Sequence, residues 1–99
     1  MPSLKIDLQE GFVGVPVVLR INGREVYRAS PKTRMQIGLA DSRTFDLPSQ
    51  EHVIEFEMPE TGASRTLTVN LAQDRYLGLS VEQDKTVSLK DSPEPFGYL

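Results

Sequence analysis

Residues 17–29 read VVLRINGREVYRA, and the Asn22-Gly23 pair at their centre decides the fold. A two-residue type I′ turn needs positive φ at both central positions, which asparagine and glycine adopt most readily. On either side of the pair, apolar and polar residues alternate with period two, the spacing of a half-buried strand. The stretch therefore predicts a β-hairpin. Its simplest register sets Ile21 opposite Arg24, Arg20 opposite Glu25, Leu19 opposite Val26, Val18 opposite Tyr27 and Val17 opposite Arg28. Arg20 and Glu25 would then form an exposed cross-strand ion pair. Phe12, Val18 and Tyr27 would share the face opposite Val17 and Leu19, apolar enough to require a cover. Pro16 marks an edge or a bulge beside them.

The same alternation runs outward in both directions. Leu4, Ile6 and Leu8 form one row, with Lys5 and Asp7 opposite. Val15, Val17, Leu19 and Ile21 form the next, and Met35, Ile37 and Leu39 a third. His52, Ile54, Phe56 and Met58 follow, then Leu67, Val69 and Leu71, then Leu77, Leu79 and Val81, and last Val87 and Leu89. Turn-forming residues separate the rows: Ser30-Pro31, Pro48-Ser49, Thr61-Gly62, Gln73-Asp74 and Gln83-Asp84. No segment keeps helical spacing. The expected fold is all-β: a single antiparallel β-sandwich of about seven to nine short strands, Ig-like or prealbumin-like. Residues 1–90 form the domain and 91–99 an apolar, proline-containing tail.

The residues around the hairpin carry a family resemblance. Ile21-Asn22-Gly23, together with Leu47-Pro48-Ser49-Gln50-Glu51-His52-Val53-Ile54-Glu55-Phe56, is similar to PEGA-type and prealbumin-like small β-sandwich modules. Gln50 stands where those modules carry glycine. The resemblance implies a non-catalytic adaptor or surface-binding module and assigns no ligand residue.

Composition excludes several chemistries. With no cysteine, there is no disulfide, thiolate metal site or cysteine nucleophile. A net charge of −3 argues against general polyanion binding. Arg20, Arg24, Arg28, Lys32 and Arg34 form a local basic stretch. Its hairpin turns them to different faces, and only Tyr27 offers a stacking aromatic, so no nucleic-acid partner is expected. The apolar run Phe12–Leu19 is far shorter than the about 20 residues of a membrane-spanning helix. With no signal-peptide pattern at MPSLKIDLQE, the expected location is cytoplasmic.

Candidate catalytic groups are sparse. His52 is the sole histidine, and its parity with Ile54 and Phe56 places it at the inner rim of a strand, one ring nitrogen on backbone. No serine lies in a G-x-S-x-G elbow. Glu55 and Glu57, about 6.6 Å apart along a strand, read as a solvated acidic face with Glu51 and Glu60. Asp41, Asp46, Asp74 and Asp84 sit near turns but lack calcium-loop spacing. Neither enzyme activity, nor a cofactor, nor a metal is expected.

The chain closes on DSPEPFGYL (residues 91–99), an apolar end where chain termini are usually polar and frayed. Pro93 and Pro95 restrict the unfolded tail and so lower the entropy lost on docking it. Phe96, Tyr98 and Leu99 are candidate contact residues, with Phe12, Val18 and Tyr27 as their dock or as a second patch. Docking in cis would complete the domain. Docking in trans would give a homodimer through the tail or a contact with another protein. Gly97-Tyr98-Leu99 also resembles the penultimate-tyrosine C-terminus of bacterial proteasome activators. The sequence thus points to a protein-interaction or assembly module, with a small-ligand or carbohydrate-binding domain as the alternative.

Overall fold

A computed structural model describes residues 1–98; Leu99 lies outside them. Among these residues the chain is all-β, with two four-stranded sheets facing each other as a small β-sandwich. The strands are β1 (Ser3–Leu8), β2 (Val17–Ile21), β3 (Arg24–Ala29), β4 (Asp41–Asp46), β5 (Glu51–Met58), β6 (Ala63–Asn70), β7 (Arg75–Val81) and β8 (Val87–Ser92). One sheet has the order β4-β1-β7-β8 and the other β3-β2-β5-β6.

Local hairpins make three of the six strand pairings. Asn22 at φ 53° and Gly23 at φ 81° turn β2 into β3, β5 turns into β6 through Gly62, and β7 into β8 through Lys85. The remaining pairing is non-local. β1 runs antiparallel to β4 but parallel to β7, so the first sheet is mixed and the wholly antiparallel expectation is corrected there. No hairpin can join two parallel strands, and the alternation within each strand is blind to this choice.

Leucine and isoleucine rows meet between the sheets. Leu4, Ile6 and Leu8 of β1 and Leu77 and Leu79 of β7 share the core with Leu19, Ile21, Ile54, Phe56 and Met58 from the other sheet. Phe12, on the loop after β1, packs edge-on against Phe56 with centroids 6.2 Å apart. Most of the predicted rows lie here.

Two further expectations fail. Met35, Ile37 and Leu39 are not an inward strand row: residues 35–38 turn, and Met35 is 92% exposed. The strand in that region is β4, a polar run that alternation alone does not mark. The hairpin register also slips. Ile21 pairs with Arg24 and Arg20 with Glu25, but Leu19 then faces Tyr27, Val18 faces Arg28 and Val17 faces Ala29. Val26 is the extra residue of a β-bulge. A one-residue shift sends every later side chain to the other face, so Tyr27 joins Leu19 in the core. Arg20 bonds Glu57 instead of Glu25, and Glu25 takes Arg28.

Candidate functional site

Alternation puts Asp7 on the outer face of its sheet, between the core residues Ile6 and Leu8. It is nonetheless only 2% exposed. The outer row across the sheet is Ser42, Asp7, Gly78 and Lys90, and the C-terminal segment folds back over it. Tyr98 donates its hydroxyl to Asp7 Oδ2 at 2.6 Å. Gln9 Nε2 donates to the same Tyr98 oxygen at 3.0 Å, and the Ser42 hydroxyl donates to Asp7 Oδ1 at 2.7 Å. Every hydrogen bond points toward the carboxylate, so each polarises the next.

Local sequence prepares this dock. Gly78 sits mid-strand, where glycine marks a close approach. A Cβ there would lie 2.7 Å from the Gln9 amide atoms, so the missing side chain is the space Gln9 occupies. At the far end, the Ser92 hydroxyl accepts from Glu94 N and donates to Glu94 O, shaping the turn after β8. Burial, and then the Asp7 carboxylate that accepts its proton, push the Tyr98 phenol up to about 12.

Beside the dock lies an open apolar groove of about 560 Å³, lined by Glu10, Phe12, Val13, Lys32, Thr33 and Met35, among others. Val13 is 74% exposed and Met35 92%. Thr33 secures the floor: its hydroxyl accepts from Phe12 N at 3.0 Å and donates to Gln9 O at 2.7 Å. Gly11 allows the loop to pass, since its φ is +88° and a Cβ would fall 2.0 Å from Val81 O. Glu10 and Gly38 line both this groove and the smaller cleft bordered by Phe96, Gly97 and Tyr98. Groove and tail are therefore neighbours at one end of the sandwich.

The sequence-predicted contact residues separate. Phe96 and Tyr98 are half-buried on the first sheet, and Leu99 lies outside the described residues. Through residue 98 the tail lies on the outer face of the first sheet and not over Phe12, Val18 and Tyr27, nor do those three share a face. Phe12 and Tyr27 belong to the core, while Val18, fully buried, lies on the opposite side of β2 between Arg28 and Glu57. The bulge separates them. Nor is β2 an edge strand: β3 and β5 flank it, and Pro16 precedes it.

Tyr27 instead makes a second tyrosine–aspartate pair. Its hydroxyl donates to Asp41 Oδ2 at 2.8 Å, linking an edge of one sheet to an edge of the other. Arg43 donates to Asp41 Oδ1 at 3.0 Å and its guanidinium lies 5.2 Å from the Tyr27 ring centroid. Burial, followed by the Asp41 hydrogen bond, raises the Tyr27 phenol well above its ordinary value.

His52 and two of the turn aspartates make hydrogen bonds within the fold. His52 is buried; Asn22 Nδ2 donates to its Nδ1 at 3.0 Å, and its Nε2 donates to Pro48 O at 2.9 Å. Asn22 Oδ1 also accepts from Val53 N, so the hairpin turn and the histidine brace each other. Asp74 accepts from Ser3 N, and Asp84 from the Thr86 amide and hydroxyl. Among the described residues, no group of three or more His, Asp or Glu side chains could hold a metal ion. Nor is any helix long and apolar enough to cross a membrane.

No protein-family model, curated protein or solved structure matches this chain.

Asp7, Gln9, Ser42, Val13 and Met35 were not singled out by the sequence. Asp7 looks like any solvated residue opposite a core row, and Met35 like a member of one. Gly78, a lone glycine inside a strand pattern, was the available signal.

Proposed function

We propose that this chain is a cytoplasmic, non-catalytic protein-interaction module. Its contact surface is the end of the sandwich where the groove rimmed by Val13 and Met35 meets the docked Phe96 and Tyr98. The observation that carries the reading is the exposure of Val13 and Met35, two apolar side chains on the rim of one groove. Exposed apolar surface around a preformed concavity marks contact sites. The mild negative charge and lack of cysteine suit a reducing interior. Kinship with PEGA-type or prealbumin-like sandwiches rests on Asn22-Gly23 and residues 47–56, and would agree with an adaptor role.

A photo-crosslinking residue placed at Met35, with a control at exposed Glu60, tests this in cells. Discrete adducts from position 35 that disappear on Val13→Asp support the reading. Equal labelling from both positions, or none from position 35, sinks it. The alternative, a small ligand, draws on the groove's volume, which falls within the usual range of about 300–1,000 Å³ for ligand pockets. It predicts a co-purifying small molecule in native mass spectra that Val13→Asp expels.

A further inference from the structure

The sandwich has four sheet edges, formed by β3, β4, β6 and β8. Unpaired edges invite further strands, and proteins blunt them with charge, bulges, proline or a cover. Three of the four are blunted. β3 carries Arg24, Glu25 and Arg28 and the bulge at Val26; β4 carries Asp41, Arg43 and Asp46; β8 carries Lys90 and Asp91 and runs into Pro93. β6 is different. It spans Ala63–Asn70 without proline, glycine or acidic residue. Its one charge, Arg65, is turned toward the other sheet, where Nη1 donates to Val87 O at 3.1 Å. Among the described residues no strand pairs with its outer side.

We propose that β6 is a self-association edge, joining two copies of this chain around a two-fold axis into a continuous eight-stranded antiparallel sheet. The occupant follows from the strand's own sequence. Ala63, Arg65, Leu67 and Val69 share the core-side parity, and Ser64, Thr66, Thr68 and Asn70 the outer one. A two-fold at Leu67 preserves that parity. It sets Leu67 against Leu67 of the second copy, Thr66 against Thr68, Arg65 against Val69 and Ser64 against Asn70. No like charges meet. The outer ladder consists of uncharged hydroxyl and amide groups, and threonine pairs across strands are favourable. Leu67, half-buried in the single chain, gains an apolar neighbour. An isologous contact of this kind closes at two copies. No residue of β6 lines the groove or the tail cleft, so this surface stands independently of the function proposed above.

The test is the solution mass of the full chain across a concentration series reaching the millimolar range. The expected result is a species of about twice 11.1 kDa whose population grows with concentration. Thr66→Lys with Thr68→Lys places two like charges opposite each other and should return the monomer mass. Thr66→Lys with Thr68→Glu places opposite charges together in this register and should restore the dimer. A parent that stays monomeric throughout overturns the proposal, as does a dimer that the double lysine variant leaves intact. Loss of the dimer in the Lys/Glu variant overturns the register. Hydrogen exchange of the unmodified chain gives a measurement free of any substitution. Protection of residues 64–70 should rise with concentration, and exchange rates that ignore concentration overturn the proposal.

Discussion

Two tyrosines of this sandwich end on aspartates, Tyr27 on Asp41 and Tyr98 on Asp7, with hydroxyl-to-carboxylate distances of 2.8 and 2.6 Å. Around that shared bond the two sites are built in opposite ways. Tyr27 buries its ring in the core and its aspartate stays half-exposed beside Arg43. Tyr98 leaves its ring half-exposed, while its aspartate is buried and, among the described residues, has no ion pair. Two hydroxyls satisfy Asp7 in place of a cation. The first site is a side chain fixed by packing that also reaches a carboxylate. The second is a buried carboxylate that requires a particular side chain to arrive. A lost donor matters most where water is excluded.

Truncating each ring should produce the largest difference. Tyr27→Ala removes a core aromatic and is expected to cost about 3–5 kcal/mol of unfolding free energy. Tyr98→Ala removes a half-exposed ring together with its hydroxyl and is expected to cost less, roughly 2 kcal/mol. Chemical denaturation of both variants measures this, and equal losses would break the contrast.

Removing only the hydroxyl should reverse the order. Tyr98→Phe strips Asp7 Oδ2 of its hydroxyl donor, and the expected loss is about 1–2 kcal/mol. Release of the tail limits the cost, because water can then reach the carboxylate. Tyr27→Phe leaves Asp41 with Arg43 and the Ser42 amide, so about 0.5–1 kcal/mol is expected. Faster proteolysis after Ser92 should accompany Tyr98→Phe alone.

Alkaline pH separates the sites more finely. The Tyr98 phenol is raised to about 12, so the folded state favours its neutral form. The stabilisation is complete below the ordinary tyrosine value of about 10. It falls as pH rises from there through about 12, because the unfolded chain then releases the proton first. An ultraviolet titration of the parent minus Tyr98→Phe should show one phenol ionising near 12, together with faster exchange in residues 93–98. A difference titration centred near 10 would show that the Asp7 site does not hold the neutral phenol.

Salt should give the smallest effect. Arg43 and Asp41 are partly exposed, so added sodium chloride should weaken that pair by a few tenths of a kcal/mol. The Tyr98 site, where the buried Asp7 carboxylate is met by the neutral hydroxyls of Tyr98 and Ser42 and no cation, should lose less. The difference between Arg43→Met and Tyr98→Phe melting curves at low and high salt measures this.

Much of the strand content could be read directly. Asn22-Gly23 and the rows at Leu4, Ile54, Leu67, Leu77 and Val87 are local patterns, because side-chain parity along a strand needs no knowledge of its neighbours. His52 on the inner rim was legible for the same reason. Met35 was not: its spacing matches a strand row, and only the turn at residues 35–38 turns it outward. The site was harder to read than the fold. Phe96 and Tyr98 attracted notice as apolar residues at a chain end, but the Tyr98 hydroxyl docks on Asp7, some ninety positions earlier.

By itself the sequence determined an all-β chain, the Asn22-Gly23 hairpin turn and most of the apolar rows of its core, since these follow from backbone conformational preference and two-residue periodicity. Tertiary structure alone decided the parallel pairing of β1 with β7, the bulge that swings Tyr27 inward, and the face on which the tail lies. Each depends on which distant surface satisfies a buried group best: a strand edge, an aromatic ring or a carboxylate. That competition is settled between residues far apart in the chain, where local pattern has no reach.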